Sequence, residues 1–156
     1  VEVRPLDLPP ATTEALRERF LLFYTGVKRS ASGVLSEQVR RTIAGDAETA
    51  ANLRRTMELA GESCAALEAG DFGTFAELMN KHWEYKLERI PAMADGPIPG
   101  LREAALAAGA TGVVLMGAGG GGFLLAYAPD TVPVRAAMSA AGLAELPFDI
   151  DTNGVC

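Results

Sequence analysis

Five glycines in six consecutive positions, Gly117-Ala118-Gly119-Gly120-Gly121-Gly122, constrain this chain more than any other stretch. They stand between two apolar runs, Val113-Val114-Leu115-Met116 and Phe123-Leu124-Leu125-Ala126-Tyr127. Inside a helix or strand each glycine costs about 1 kcal/mol relative to alanine, so the cluster reads as a loop between two short strands. Bare backbone serves where side chains would obstruct. The usual reason is that N–H groups must come close to a phosphate, or to another loop that does.

Other readings of the loop compete. It matches G-x-G-x-x-G in form, but the dinucleotide fingerprint needs a helix opening at its end. Here a second bulky run follows and Pro129 closes it. No Lys-Ser or Lys-Thr follows the glycines, so the P-loop pattern fails too. The uncharged span from Ala104 to Pro129 is long enough for a bilayer. Its glycine-rich centre is a poor helix interior, and its flanks read as strands. A structural hairpin whose glycines only relieve crowding stays open beside the phosphate reading.

At 156 residues the chain is one domain's worth. Its 49% hydrophobic and 22% charged residues indicate a globular, soluble protein with no membrane partner. The net charge of −6 stands against a nucleic-acid partner, whose phosphates call for Lys and Arg. Two distant cysteines, Cys64 and Cys156, build no disulfide framework or metal cluster. A reduced, cytoplasmic setting is expected, and Val1 to Pro10 lacks the apolar centre of a signal peptide. With no initiator methionine, the chain reads as a fragment or processed piece.

Patterning predicts a short helix over Ala11 to Arg19 and a buried strand over Phe20 to Tyr24. Ser30 or Ser32 would cap a helix bearing Val34, Leu35, Gln38, Val39 and Ile43 on one face. A longer helix, about Ala47 to Ala69, carries the stripe Leu53, Met57, Ala60, Cys64 and Leu67. A third, Phe72 to about Ile90, places Phe75, Met79, His82, Trp83 and Leu87 near one face. After the loop at Pro91 to Gly100 come a helix over Leu101 to Ala108 and the two strands around the glycines. A last helix, Val132 to Ala141, and a strand over Leu146 to Ile150 end the series. The simplest packing is an α+β, ferredoxin-like sandwich: a four-stranded, mostly antiparallel sheet with helices on one side.

Side chains suited to catalysis are scarce. His82 is the only histidine and sits mid-helix, where a packed or half-exposed residue is the expectation. No second histidine offers a metal pair, and no Ser/His/Asp or Cys/His motif appears. Glu58, Glu62 and Glu68 read as solvated faces. The segment from Thr25 to Ser32 is different: Thr25, Lys28, Arg29 and Ser30 put hydroxyls and cations at a helix N-terminus. Free N–H groups there suit a polar or anionic ligand. A capped loop with a solvated basic pair is an equal reading.

Two segments together carry a resemblance. Gly117 to Phe123, preceded by Ala108-Gly109-Ala110-Thr111-Gly112, resembles the third signature motif of the GHMP small-molecule kinases. Phe23 to Ala31 resembles the strand-to-helix segment of their sugar-1-kinase branch, which includes heptose 7-phosphate kinases and fucokinases. Trp83-Glu84-Tyr85-Lys86 is similar to the branch's W-E-x-K helix. The order and spacing hold over nearly the whole chain.

The resemblance implies the C-terminal domain of such a kinase over residues 11–156. Residues 1–10 would be a linker or the tail of an N-terminal domain that carries the main phosphate loop and the catalytic Asp. No catalytic residue and no metal ligand would lie in this chain, which alone would be inactive. ATP and Mg2+ would be held mainly by the N-terminal domain. Gly117, Ala118, Gly119, Gly120, Gly121 and Gly122 would pack on that phosphate loop and shape the ATP site. Thr25 and Arg29 would face the sugar, with Lys28 and Ser30 nearby. The implied reaction moves the γ-phosphate of ATP to a sugar hydroxyl, the anomeric one, of a substrate resembling heptose 7-phosphate. A non-catalytic binding or regulatory module of the same fold is the alternative. So is a kinase for fucose, galactose, mevalonate or homoserine. Two positions depart from the pattern: Ile98-Pro99 stands where many members have Ile-Asp, and Val114 where many have Lys.

Overall fold

The computed structural model describes residues 5–27 and 31–150, without the side chains of 31–35 and 37. The elements run α1 (Pro10–Arg19), β1 (Phe20–Tyr24), α2 (Ala31–Ile43), α3 (Ala47–Glu68) and α4 (Phe72–Arg89). A 3-10 turn (Pro91–Ala94) leads to α5 (Ile98–Ala107), β2 (Gly112–Met116), β3 (Phe123–Tyr127), α6 (Val132–Ala140) and β4 (Ala144–Leu146). The strands form one sheet in the order β2-β3-β1-β4, and all three pairings are antiparallel. That is the α+β, ferredoxin-like sheet expected from the strand pattern.

Register fixes which loops meet. Tyr24 pairs with Phe123, Phe123 with Met116, and Tyr24 with Ala144 on its other side. The end of β1, the end of β2 and the start of β3 therefore share one end of the sheet. The glycine loop and the segment after Tyr24 both emerge there.

Period-two alternation divides the core. Leu21, Phe23, Val113, Leu115, Leu124 and Ala126 pack with Trp83, Met93, Ile98, Ala105, Val134 and Met138. Phe20, Val114 and Tyr127 point the other way, onto Phe72, Ala76 and Met79 of α4 and Ala15 and Leu16 of α1. Helices thus cover both faces rather than one. Helix α4 contributes to both clusters because it runs beside edge strand β2. Phe20, Phe72 and Tyr127 form an aromatic group with ring centroids 5.0–5.8 Å apart.

Four local expectations change. Helix α5 starts at Ile98, because Pro99 lies in its first turn, where a missing N–H costs nothing. Strand β4 is Ala144–Leu146, ending before Pro147. The apolar Phe148 and Ile150 that suggested Leu146 to Ile150 lie beyond it. Helix α3 is rotated from the expected stripe: Met57 is 75% exposed, while Thr49, Asn52, Leu59 and Ala66 are buried. Leu59 and Ala66 pack against Leu78 of α4. Asn52 is drawn inward by hydrogen bonds to Tyr85 and Glu88 of α4, which apolar periodicity does not register. On α2, Val39 and Ile43 of the expected apolar face are exposed.

Candidate functional site

The two segments singled out in the sequence are fastened together. Thr25 donates twice to the Gly122 carbonyl, from its N–H and its hydroxyl, each at 2.9 Å. Gly122 N–H donates back to the Val27 carbonyl at 3.2 Å, and Val27 N–H reaches the Thr25 hydroxyl at 3.3 Å. The Thr25 proton and one lone pair are thus engaged, leaving one lone pair for a ligand.

Glycine is required in the loop by contact as well as conformation. Gly121 has φ +132°, and a Cβ there would lie 2.2 Å from the Val27 carbonyl oxygen. At Gly119 a Cβ would fall 2.7 Å from Ile90 Cδ1 and 3.0 Å from Met93 Sδ. The loop is therefore pressed on one side against Val27, after β1, and on another against the end of α4. Gly119 and Gly120 are buried, Gly117 is exposed, and Ala118 has the only Cβ of the six. Such a loop can lie flat against a phosphate or a second loop without a side chain intervening.

Helix α4 seals the outer edge of β2 up to this loop. Asn80 donates to the Thr111 carbonyl and accepts from Val113 N–H. Arg102 donates to the Val113 carbonyl and to Asn80 Oδ1, its guanidinium 5.1 Å from the Trp83 ring centre. Lys86 completes the series. Its ammonium donates to the Leu115 carbonyl at 2.6 Å and to the Gly117 carbonyl at 2.5 Å. Backbone groups on an edge strand need such partners when buried.

Lys86 is only 5% exposed. Burial, with the nearby Arg89 charge, pushes its pKa down to about 8. Sequence reasoning noted the W-E-x-K segment but assigned Lys86 no task. The signal was there: Met79, Trp83 and Lys86 recur at helical spacing, which puts a lysine on the buried face.

Lys28, Arg29 and Ser30 lie outside the described residues, as does the cap expected at Ser30. His82 is half-buried, its pKa lowered by burial and by Lys86 and Arg89. Among the described residues no group of three His, Cys, Asp or Glu could hold a metal ion. Cys64 is a free thiol, and Glu58 and Glu62 are exposed. No described helix is long and apolar enough to cross a membrane.

Comparison with known proteins supplies an independent line. Residues 63–144, more than half of the chain, match the family model described as GHMP kinases C terminal. The chain is 31% identical over 130 residues to a bifunctional fucokinase/GDP-fucose pyrophosphorylase of Arabidopsis thaliana, covering 83% of this chain and 12% of that protein. It is 26% identical over 131 residues to the D-glycero-alpha-D-manno-heptose 7-phosphate kinase of Campylobacter jejuni, covering 84% of this chain and 38% of that protein. In structure it resembles L. major mevalonate kinase solved with R-mevalonate, with a TM-score of 0.72 at 16% identity over 94% of this chain and 46% of that one. The chain thus spans less than half the length of each.

Proposed function

Because this chain belongs to the GHMP kinases, as their C-terminal domain, we propose that it is the C-terminal part of an ATP-dependent sugar kinase. The reaction moves the γ-phosphate of ATP to the anomeric hydroxyl of a sugar resembling heptose 7-phosphate. The main phosphate loop, the catalytic Asp and most contacts to ATP and Mg2+ belong to an N-terminal domain outside these residues.

One observation carries the reading. The Gly117–Gly122 loop and the Thr25–Val27 turn, assigned to nucleotide and sugar respectively, are bonded to each other at one end of the sheet. Phosphoryl transfer depends on positioning and charge stabilisation, with MgATP supplying the phosphoryl group and much of the neutralising charge. A bare loop fixed to the sugar-facing turn provides positioning. In this reading Gly117 to Gly122 back the phosphate loop of the other domain. Thr25 faces the sugar through its remaining lone pair, with Lys28, Arg29 and Ser30 beside it.

Phosphorus NMR of the full-length protein with MgATP and heptose 7-phosphate tests the proposal. An anomeric phosphate signal appearing with ADP is expected. ADP formed only with fucose, galactose or mevalonate would reassign the substrate. Absence of turnover with every sugar, ATP binding included, would overturn the kinase reading in favour of a binding module.

A further inference from the structure

We propose that the cleft between the first turns of α3 and the last turn of α4 is an anion site that takes the phosphate of a phosphorylated sugar, with Arg89 as its central donor. The sugar part of this assignment rests on the kinase reading above; the anion site does not.

The cleft has a volume of about 570 Å³ and is walled by Thr49, Asn52 and Arg55 of α3 and by Glu88, Arg89 and Pro91 at the end of α4. That is room for a sugar phosphate, within the usual range for small-ligand sites. Arg41 and the exposed Glu48 also line it, and its second acid, Glu88, is occupied. Glu88 Oε2 accepts from Arg55 at 2.6 Å and from Asn52 at 2.7 Å. Arg89 is balanced differently: its Nη1 donates to Asn52 Oδ1 and to Thr56 Oγ1, both neutral. No carboxylate among the described residues forms a salt bridge with it.

Arg89 also holds an orphan. Its Nε is the one buried side-chain nitrogen or oxygen among the described residues without a hydrogen-bond partner. That Nε is out of reach of solvent, so an anion in the cleft would meet the edge of Arg89 that lines it, where a planar guanidinium is well matched to phosphate oxygens. Asn52 is itself held by the Tyr85 carbonyl, so Arg89 is gripped in one orientation. Burial already lowers the Arg89 pKa, and an anion beside it would offset that penalty.

Position ties the cleft to the glycine loop. Ile90, the next residue after Arg89, is the one whose Cδ1 packs on Gly119. The cleft and the loop thus meet the same end of α4 through consecutive residues.

The test measures binding and kinetics on the full-length protein and on Arg89→Gln, Arg89→Lys and Arg55→Gln. Calorimetric titration uses inorganic phosphate, heptose 7-phosphate and the unphosphorylated heptose. Heptose 7-phosphate should bind more tightly than inorganic phosphate, and Arg89→Gln should weaken both at least tenfold. Arg89→Lys should recover part of the loss, and Arg55→Gln should cost less. In turnover, the KM for the sugar phosphate should rise while those for MgATP and the unphosphorylated sugar hold. Trp83 fluorescence reports folding; should Arg89→Gln misfold, the Arg89→Lys comparison decides. Undiminished phosphate and sugar-phosphate affinity in the Arg89 variants would overturn the site. Phosphate bound as tightly as the sugar phosphate would overturn the sugar assignment. Arg89-dependent phosphate binding without turnover of any sugar would sustain the anion site and refute the kinase reading.

Discussion

Replacing Lys86 by methionine isolates the charge buried beneath the glycine loop. Two opposing quantities change together. The Leu115 and Gly117 carbonyls lose a charged donor, at about 1.5–3 kcal/mol per bond. The folded state is also relieved of a buried ammonium. A pKa drawn from 10.5 down to about 8 corresponds to a burden of about 3 kcal/mol. At pH 7 the net effect of Lys86→Met is therefore smaller than either contribution, and a single measurement decides little. The pH dependence decides more. The unfolded lysine keeps its proton until about pH 10.5, whereas the folded one releases it near 8. Between those values the unfolded chain binds more protons, so stability rises with pH by at most about 1.4 kcal/mol per unit. The neutral amine still has two N–H groups for its two carbonyls. Relative to Lys86→Met, the wild type should gain about 3 kcal/mol from pH 7 to 10.5, all of it above pH 7.5 or so. Urea unfolding followed through Trp83, the only tryptophan of this chain, should show the difference in midpoints widening by about 1–2 M, for a slope near 2 kcal/mol/M. Both proteins share every other titrating group, so the subtraction isolates residue 86. Parallel midpoint curves across this range would refute the buried ammonium.

Other substitutions test separate parts of the design. Gly121→Ala should cost more than about 2 kcal/mol, combining left-handed strain with the collision at the Val27 carbonyl, and should loosen the loop. Gly117→Ala, at φ +92° but with nothing within 4 Å of its Cβ, should cost about 1–2 kcal/mol; equal melting points for the two would contradict the packing described. Asn80→Ala should cost about 2 kcal/mol and speed hydrogen exchange at Val113 N–H, and unchanged exchange there would show that the edge of β2 is closed by other means. Met57→Gln should shift stability by no more than about 0.5 kcal/mol, whereas a core position on the stripe first expected for α3 would lose several times that in a thermal melt.

Much of the architecture was legible in the chain. Short apolar runs bounded by glycine and proline marked β1, β2 and β3, and the long amphipathic stretches marked α3 and α4, because period and punctuation are local properties. The limits of α5 and β4 were less clear. Pro99 is compatible with a first helical turn, and Phe148 and Ile150 mimic a strand that has no partner to pair with. The apolar stripe of α3 was misjudged because Asn52 is buried by hydrogen bonds to Tyr85 and Glu88, more than thirty residues along the chain. Of the site, the glycine loop and the Thr25 turn were recognised from their composition. Their attachment to each other was not, since it depends on the pairing of Tyr24 with Phe123.

By itself the sequence determined the strand-loop-strand character of residues 113–127, the α+β class, the scarcity of catalytic side chains and the kinship with the GHMP kinases. These follow from backbone cost, periodicity and motif order, each readable within a few residues. Only the tertiary structure decided that Lys86 lies beneath the glycine loop, that Gly121 meets Val27, and that Arg89 is held by Asn52 and Thr56 within a cleft. Those contacts join residues separated by about thirty to nearly a hundred positions. Their energies arise from desolvation and geometry that exist only once the strands have paired and α3 has packed on α4.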